Sequence, residues 1–491
     1  MRFLTVLLAA TLASPCALAQ APVSPDTRTA ITQLVGDIMV NGKAYDYDRH
    51  LADNIGPRLT GSDNYVHAVS WAVDQFKSLG LKNVHTEPFT MPALWEPEVL
   101  ATGHILEPRN QTLHIYSLGW SPSTPHNGDP DAGIQGQVVY LKDFSTPEAL
   151  EADKAKIPGK IVLIDEASLG EHPSFAQILK TLIRLKELGP QALLLVGGPN
   201  GTESATALTF DGSIAPFPEA RIGLEDELLI KRLLEDGPVT VQFSFKNRIR
   251  PATQVNNVVA EIPGRDLPNE IVIVGGHLDS WHPATGAQDN GTGVATALDV
   301  ARAVKAVNRP PRRTLRFILF GGEEQGIIGS TSYVRHHTAD LPNIDAVLIS
   351  DTGGQPAKGW YLMGRDDEKQ ALANIEPLLS GLGSNDTTPS VEFLFQTDHI
   401  SFALLGTPTL VLWNAVDKYF KLHHKASDSF DSVVQADLNQ GVATTAATAY
   451  AIADSAKPFA AHYTPTQVED MLKQAKQFDD YQYFKSQGIF P

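Results

Sequence analysis

Residues 271–324 constrain this chain more tightly than any other stretch. An apolar run at 271–276 is followed by a segment whose Val294, Ala297, Leu298, Ala301 and Val304 recur at helical spacing, and then by a second apolar run at 315–320. Strand, helix and strand in that order predict neighbouring parallel strands with a helix covering them. In such sheets ligands bind beyond the carboxyl ends of the strands, so polar residues at those ends are the first candidates for chemistry. Four stand there: His277, Asp289, Glu323 and Glu324.

Each has a structural reading beside the functional one. His277 could be an ordinary strand-end histidine, but Asp279 two residues on supplies the carboxylate to which a ligating imidazole usually passes its other proton. Asp289, in Gln288-Asp289-Asn290-Gly291-Thr292-Gly293, stands where a carboxylate also caps a helix. Glu323 and Glu324 follow an apolar run and two glycines, where adjacent carboxylates would repel and lose hydration unless a cation were present. Asp351 ends another apolar run at 346–350, and His424 lies in Leu422-His423-His424-Lys425-Ala426-Ser427-Asp428. Two histidines, two aspartates and two glutamates form a ligand mix suited to zinc rather than to magnesium or calcium alone.

In this order the motifs His-x-Asp, Asp-Asn-Gly-x-Gly, Gly-Gly-Glu-Glu-x-Gly, Ser-Asp and a late His resemble the co-catalytic zinc aminopeptidase family. Residues 54–62 (NIGPRLTGS) resemble its N-terminal signature. The resemblance implies two zinc ions per chain: His277 and Asp351 on one, Glu324 and His424 on the other, Asp289 bridging them. It further implies Glu323 as general base, Asp279 orienting His277, a cis peptide between Asp289 and Asn290, and His423 as a candidate for stabilising the oxyanion. Closer relatives in the family suggest a homodimer. Short unblocked peptides are the expected substrates, with aminopeptidase or dipeptidase action favoured over carboxypeptidase. The rival expectations are a glutaminyl-cyclase-like transferase and a receptor-like scaffold that has lost its metals.

The expected fold is α/β: a mostly parallel sheet flanked by helices, with an inserted β-rich module. Amphipathic helices are predicted over 27–40 and 65–79, the second closed by Gly80, and a strand over 84–91. From 117 to 250 the texture changes to short strands at 136–141, 159–165, 192–198 and 239–245, with helical stretches at 174–188 and 225–235. This segment resembles the protease-associated domain inserted in several family members. The catalytic domain would then be discontinuous, 20–116 and 251–455, with strands at 271–275, 315–321, 346–350, 391–396 and 409–414 and a late helix at 433–453. The aromatic tail 456–491 is expected to pack on it.

Composition bounds where such a protein acts. Residues 1–19 read as a secretory signal peptide, with Arg2, an apolar run at 3–13 and an Ala-x-Ala cleavage site at 17–19. Its removal takes Arg2 and no acid, moving the formal charge from −17 to −18, and takes Cys16, the one cysteine. A secreted or periplasmic chain without disulfides is expected, relying on packing and metal for stability. Charge this negative argues against nucleic acid and anionic membrane surfaces as partners. There is no phosphate-binding Gly-x-x-x-x-Gly-Lys-Ser/Thr, no His-Glu-x-x-His and no Gly-x-Ser-x-Gly. Asp398-His399 reads as a buried hydrogen-bonding pair.

Overall fold

The computed structural model describes residues 23–125, 132–170, 174–387 and 397–491. The predicted signal peptide and the predicted strand at 391–396 lie outside them. Among the described residues no helix is long and apolar enough to cross a membrane.

A seven-stranded sheet carries the site. Its order is Lys82–Met91, Thr253–Ile262, Arg313–Phe320, Leu267–His277, Ile344–Ile349, Thr409–Asn414 and Ala357–Tyr361. The four strands from Arg313–Phe320 to Thr409–Asn414 run parallel, and antiparallel strands close both edges. Those four are the strands read from apolar runs, because strands covered on both faces need no polar side. The antiparallel strands at 253–262, second from one edge, and 357–361, at the other edge, carry no comparable run and are not among the predicted strands.

Side-chain alternation divides the core. Val272, Val274, Leu315, Phe317 and Leu319 point to one cluster, Ile271, Ile273, Ile318 and Phe320 to the other. At about 1.5–3 kcal/mol per buried side chain, a one-residue slip of register would forfeit both clusters at once. Register therefore holds the strand ends, and with them the site, in place.

The first cluster is covered by Pro25–Asn41, Thr292–Val307 and Gln435–Ala453, which pack against one another. Helix Thr292–Val307 is buried along nearly its whole length, not on the one face its period suggests. Its alanines, glycine and threonines let the neighbouring helices approach from several sides. Ser24 and Ser62 cap the first and third helices by accepting the backbone N–H of Thr27 and Tyr65. Gly80, in a left-handed conformation at φ +72°, follows the end of Asp63–Ser78.

The second sheet has eight strands, ordered Gln111–Thr112, Leu94–Glu107, Thr240–Arg250, Ile134–Tyr140, Ile161–Ile164, Ala192–Val196, Glu219–Ile222 and Ile115–Ser117. The expected boundary at 117 therefore falls inside this sheet, which begins at Leu94. Strand Leu94–Glu107 pairs along Thr240–Arg250, far away in sequence, and its exposed Val99 and Leu100 blur the alternation that would have marked it. Helices Phe175–Glu187 and Leu224–Asp236 accompany the strands, so the segment is a mixed α/β layer. In the tail, Val468, Leu472, Tyr481, Phe484 and Phe490 form one cluster with Ile327, Ile400 and Leu404 from the first sheet's side and Ala176 from the second's.

Candidate metal centre

Three parallel strands deliver donors to one edge. His277 ends its strand, paired with Phe320. Glu323 and Glu324 lie in the turn just after Phe320, and Asp351 two residues past Ile349. Asp289 reaches the same point from the turn Ala287–Gly291 that opens helix Thr292–Val307, and its peptide to Asn290 is cis. The turn packs tightly: a Cβ at Gly293 would lie 2.2 Å from the carbonyl oxygen of Ser350. His424 comes from the loop after Tyr419–Leu422.

All five expected ligands meet. His277 Nε2 lies 3.2 Å from Asp289 Oδ1 and 3.1 Å from Asp351 Oδ1. His424 Nε2 lies 3.0 Å from Glu324 Oε2 and 3.4 Å from Asp289 Oδ2. The two oxygens of Asp289 thus face two separate donor groups. Donor atoms of His277, Asp289 and Asp351 lie within 4.8 Å of one another, as do those of Asp289, His423 and His424. His423 stacks on His424 with ring centres 3.7 Å apart, and its Nε2 is 3.6 Å from Asp289 Oδ2.

The donor set fits divalent cations. Asp289 Oδ2 and Glu324 Oε1 are buried with no hydrogen-bond partner, an arrangement that costs free energy unless something positive sits between them. His277 Nδ1 lies 3.0 Å from the carbonyl oxygen of Asp279, which can only accept, so Nδ1 carries the proton and Nε2 offers its lone pair to the cluster.

Electrostatics point the same way. Burial raises the pKa values of Glu323, Glu324 and Asp351, and the neighbouring carboxylates raise them further. Burial pulls down the His424 pKa and takes His423 to about 4, so both imidazoles are neutral near pH 7. Asp289 is lowered against its burial by the hydrogen bond to His277 and by His423 and His424. Burial opposes the charged form of His277, but Asp351 and Glu323 raise its pKa well above the ordinary value, so the acids draw a proton onto it. A cation pair would replace that proton, relieve the crowding of acids and meet His423 and His424 already neutral.

Glu323 and Glu324 diverge as the notion of one ligand and one base requires. Glu324 turns to His424, whereas Glu323 Oε2 stays 4.0 Å from His277 Nε2. Their link is a bend, with Gly322 at φ +67°, rather than the extended strand end expected.

Asp279 meets His277 as the resemblance implies, but through its carbonyl oxygen rather than its carboxylate. Its carboxylate is 3.7 Å from His277 Nδ1, beyond hydrogen-bond range, because the turn puts its carbonyl oxygen there instead. The carboxylate accepts from Thr60 Oγ1 at 2.8 Å and from the backbone N–H groups of Glu323 and Glu324 at 3.4 and 3.3 Å. Asp279 therefore holds the glutamate turn.

Several supports had no role assigned from sequence. Asp428 accepts the N–H of Gln288 and of Asp289, at 2.8 and 3.0 Å, fixing the residue that faces both donor groups. Arg58, fully buried within the 54–62 signature, donates to the carbonyls of Gly56, Leu278, Thr285 and Gly286. It ties the signature to the loops on either side of the donors. Asp428 lies four residues after His424, but no spacing rule distinguishes it. Asp398 and His399 are buried as expected, yet neither side chain shows a hydrogen-bond partner among the described residues except a contact of Asp398 with Ser330.

The second sheet closes one wall. Ser204 Oγ donates to the His424 carbonyl, the N–H of Ala426 donates to the Thr202 carbonyl at 3.0 Å, and that of Ala205 to the His282 carbonyl at 2.7 Å. Tyr116 hydrogen-bonds the His282 ring.

Comparison with known proteins finds relatives of the same fold. Residues 257–450, which span the donor set, match Peptidase family M28. Carboxypeptidase Q of Xenopus laevis is 28% identical over 439 residues, covering 86% of this chain and 89% of that protein. Carboxypeptidase Q of Bos taurus is 29% identical over 432 residues, with the same coverage. Among solved structures, a Peptidase M28 precursor from Shewanella amazonensis SB2B superimposes with a TM-score of 0.75 at 27% identity, covering 89% of this chain and 99% of that one. An aminopeptidase from Aneurinibacillus sp. strain AM-1 shares the fold, with a TM-score of 0.64 at 22% identity over 88% of this chain and 98% of that one.

Proposed function

We propose that this chain, a member of the co-catalytic zinc peptidase family M28, is a secreted or periplasmic exopeptidase that holds two zinc ions and hydrolyses short unblocked peptides. The observation that carries the reading is Asp289, whose two carboxylate oxygens face two donor groups, His277 with Asp351 and His424 with Glu324.

Held by His277, Asp351, Asp289, Glu324 and His424, two zinc ions would supply Lewis-acid charge for the scissile carbonyl and would lower the pKa of the attacking water toward ~7. The chain's own residues do the rest. Glu323, the acid not turned toward a histidine of the pair His423 and His424, takes the proton of the attacking water and hands it to the departing amine as the C–N bond breaks. Its raised pKa, set by burial and by the charges of Asp351 and Glu324, suits a group that must release as well as accept a proton. Asp279 fixes Glu323 through the backbone of the turn. His423, neutral near pH 7, can donate its ring N–H to the oxygen that becomes negative as water adds.

A dipeptide panel tests this, using versions free at both ends, acetylated at the amine, amidated at the carboxylate or blocked at both, each with and without chelator. Hydrolysis of the free dipeptide that chelator abolishes and blocking impairs is expected. Equal hydrolysis of doubly blocked peptides, or hydrolysis indifferent to chelator, would overturn the reading. Carboxypeptidase polarity at the same site is the second reading, favoured by the names of the relatives that align along most of the chain. Faster cleavage of the acetylated than of the amidated peptide would select it.

A further inference from the structure

A second place in the molecule carries a buried acid without a partner, and it lies apart from the metal donors. Between helix Phe175–Glu187, the strand Glu219–Ile222 and the tail helix Phe478–Ser486 is a cavity of ≈ 250 Å³. Leu179, Leu182, Ile214, Pro216 and Ile489 give it apolar walls, and Glu219 is its buried acid. None of the metal donors lines it.

Glu219 is 1% exposed, and its Oε2 has no hydrogen-bond partner. Burial alone pushes its carboxyl up to about 8, with no nearby cation offsetting it. Lys186 lines the same cavity but makes no ion pair with Glu219 among the described residues, and Lys180 lies over the Tyr483 ring at 4.8 Å. Near pH 7 an acid so buried keeps its proton, and an ammonium brought against it favours the carboxylate and forms a charge-assisted hydrogen bond with the oxygen that now has no partner. Thr209, Asp211, Ser213 and Gln487 also line the cavity, and apolar walls with a few polar groups among them are the usual make-up of a small-ligand site.

We propose that this cavity is a binding site for a small amphipathic amine, its ammonium head seated on the Glu219 carboxylate and its alkyl body against Leu179, Leu182 and Ile214. The inference goes beyond the peptidase reading and does not depend on it. A neutral alcohol of the same length would fill the same space but bring no charge, and a carboxylate could not draw the proton from Glu219 and would face Asp211 as well.

The test titrates n-hexylammonium, n-hexanol and hexanoate into the full-length, metal-loaded chain by isothermal calorimetry. Saturable binding of one hexylammonium is expected, at least about tenfold tighter than hexanol, with hexanoate not binding. Glu219→Gln, which keeps the size of the side chain, is expected to weaken hexylammonium at least about tenfold while leaving peptide hydrolysis intact. Leu182→Trp, which fills the cavity, is expected to remove binding. The proposal is overturned by any of three results: no saturable binding to the unaltered chain, hexanol binding as tightly as hexylammonium, or affinity unchanged in Glu219→Gln. The last would place the amine elsewhere, at the metal donors or on the surface.

Discussion

Asp351 and Asp165 occupy matching positions in the two sheets, and they behave in opposite ways. Each follows a short, fully buried parallel strand, Ile344–Ile349 for one and Ile161–Ile164 for the other. Asp165 meets Lys231 Nζ at 2.7 Å, Tyr140 Oη at 2.9 Å and Ser168 Oγ at 2.8 Å. Burial opposes its ionisation, but those partners hold its pKa down to about 2. Asp351 meets His277 and other acids, and burial with the charge of Asp289 raises it despite the opposing pull of His277. An acid after an apolar strand is therefore not itself a sign of chemistry. The sign is a set of acids and imidazoles converging with no cation of the protein's own among them.

The contrast can be broken most severely by emptying the convergent set. Chelation, or Asp289→Ala, which removes the residue facing both donor groups, is expected to reduce peptide hydrolysis to background, with zinc restoring only the chelated wild type. Assay after dialysis against chelator and readdition checks this. Next in size, Glu323→Gln should lower turnover by at least ~10² while zinc content stays near that of the wild type, measured by steady-state kinetics beside metal analysis. Normal turnover with metals bound would remove Glu323 from the mechanism. Asp428→Ala, which frees the N–H groups of Gln288 and Asp289, should weaken metal binding by roughly 10–100-fold, read by competition with a chelating dye.

The smallest effect sharpens the other side. Asp165→Asn should leave hydrolysis unchanged and cost about 1 kcal/mol of stability at pH 7, since the Lys231 partner is partly exposed. Because the folded pKa is depressed, that contribution is present above the unfolded value of about 3.9 and is lost as pH falls through about 2. The stability difference between wild type and Asp165→Asn should therefore shrink below pH 4 in thermal melts, and a difference that persisted at pH 2 would contradict the pairing.

What could be read from the chain follows from which interactions are local. The four central strands announce themselves as continuous apolar runs, and the donors stand at their ends, so His277, Glu323, Glu324 and Asp351 were legible before any coordinates. Asp289 and His424 needed the order of the motifs as well, since a helix start and a polar loop have many other uses. Strand Leu94–Glu107 escaped because its partner Thr240–Arg250 lies far away in sequence and two of its apolar residues, Val99 and Leu100, are exposed. Asp428 and the backbone-directed role of Asp279 escaped for a related reason: both bind main-chain N–H groups, which every residue possesses, so no residue type marks the partner. The carbonyl of Asp279, not its carboxylate, faces His277 because of the turn's path, and composition says nothing about that path.

Zinc titrated into metal-free protein and followed by calorimetry addresses the central claim most directly. Two equivalents bound per chain are predicted for the wild type, and markedly weaker binding for Asp289→Ala. A single equivalent, or none, in a correctly folded chain would contradict the account.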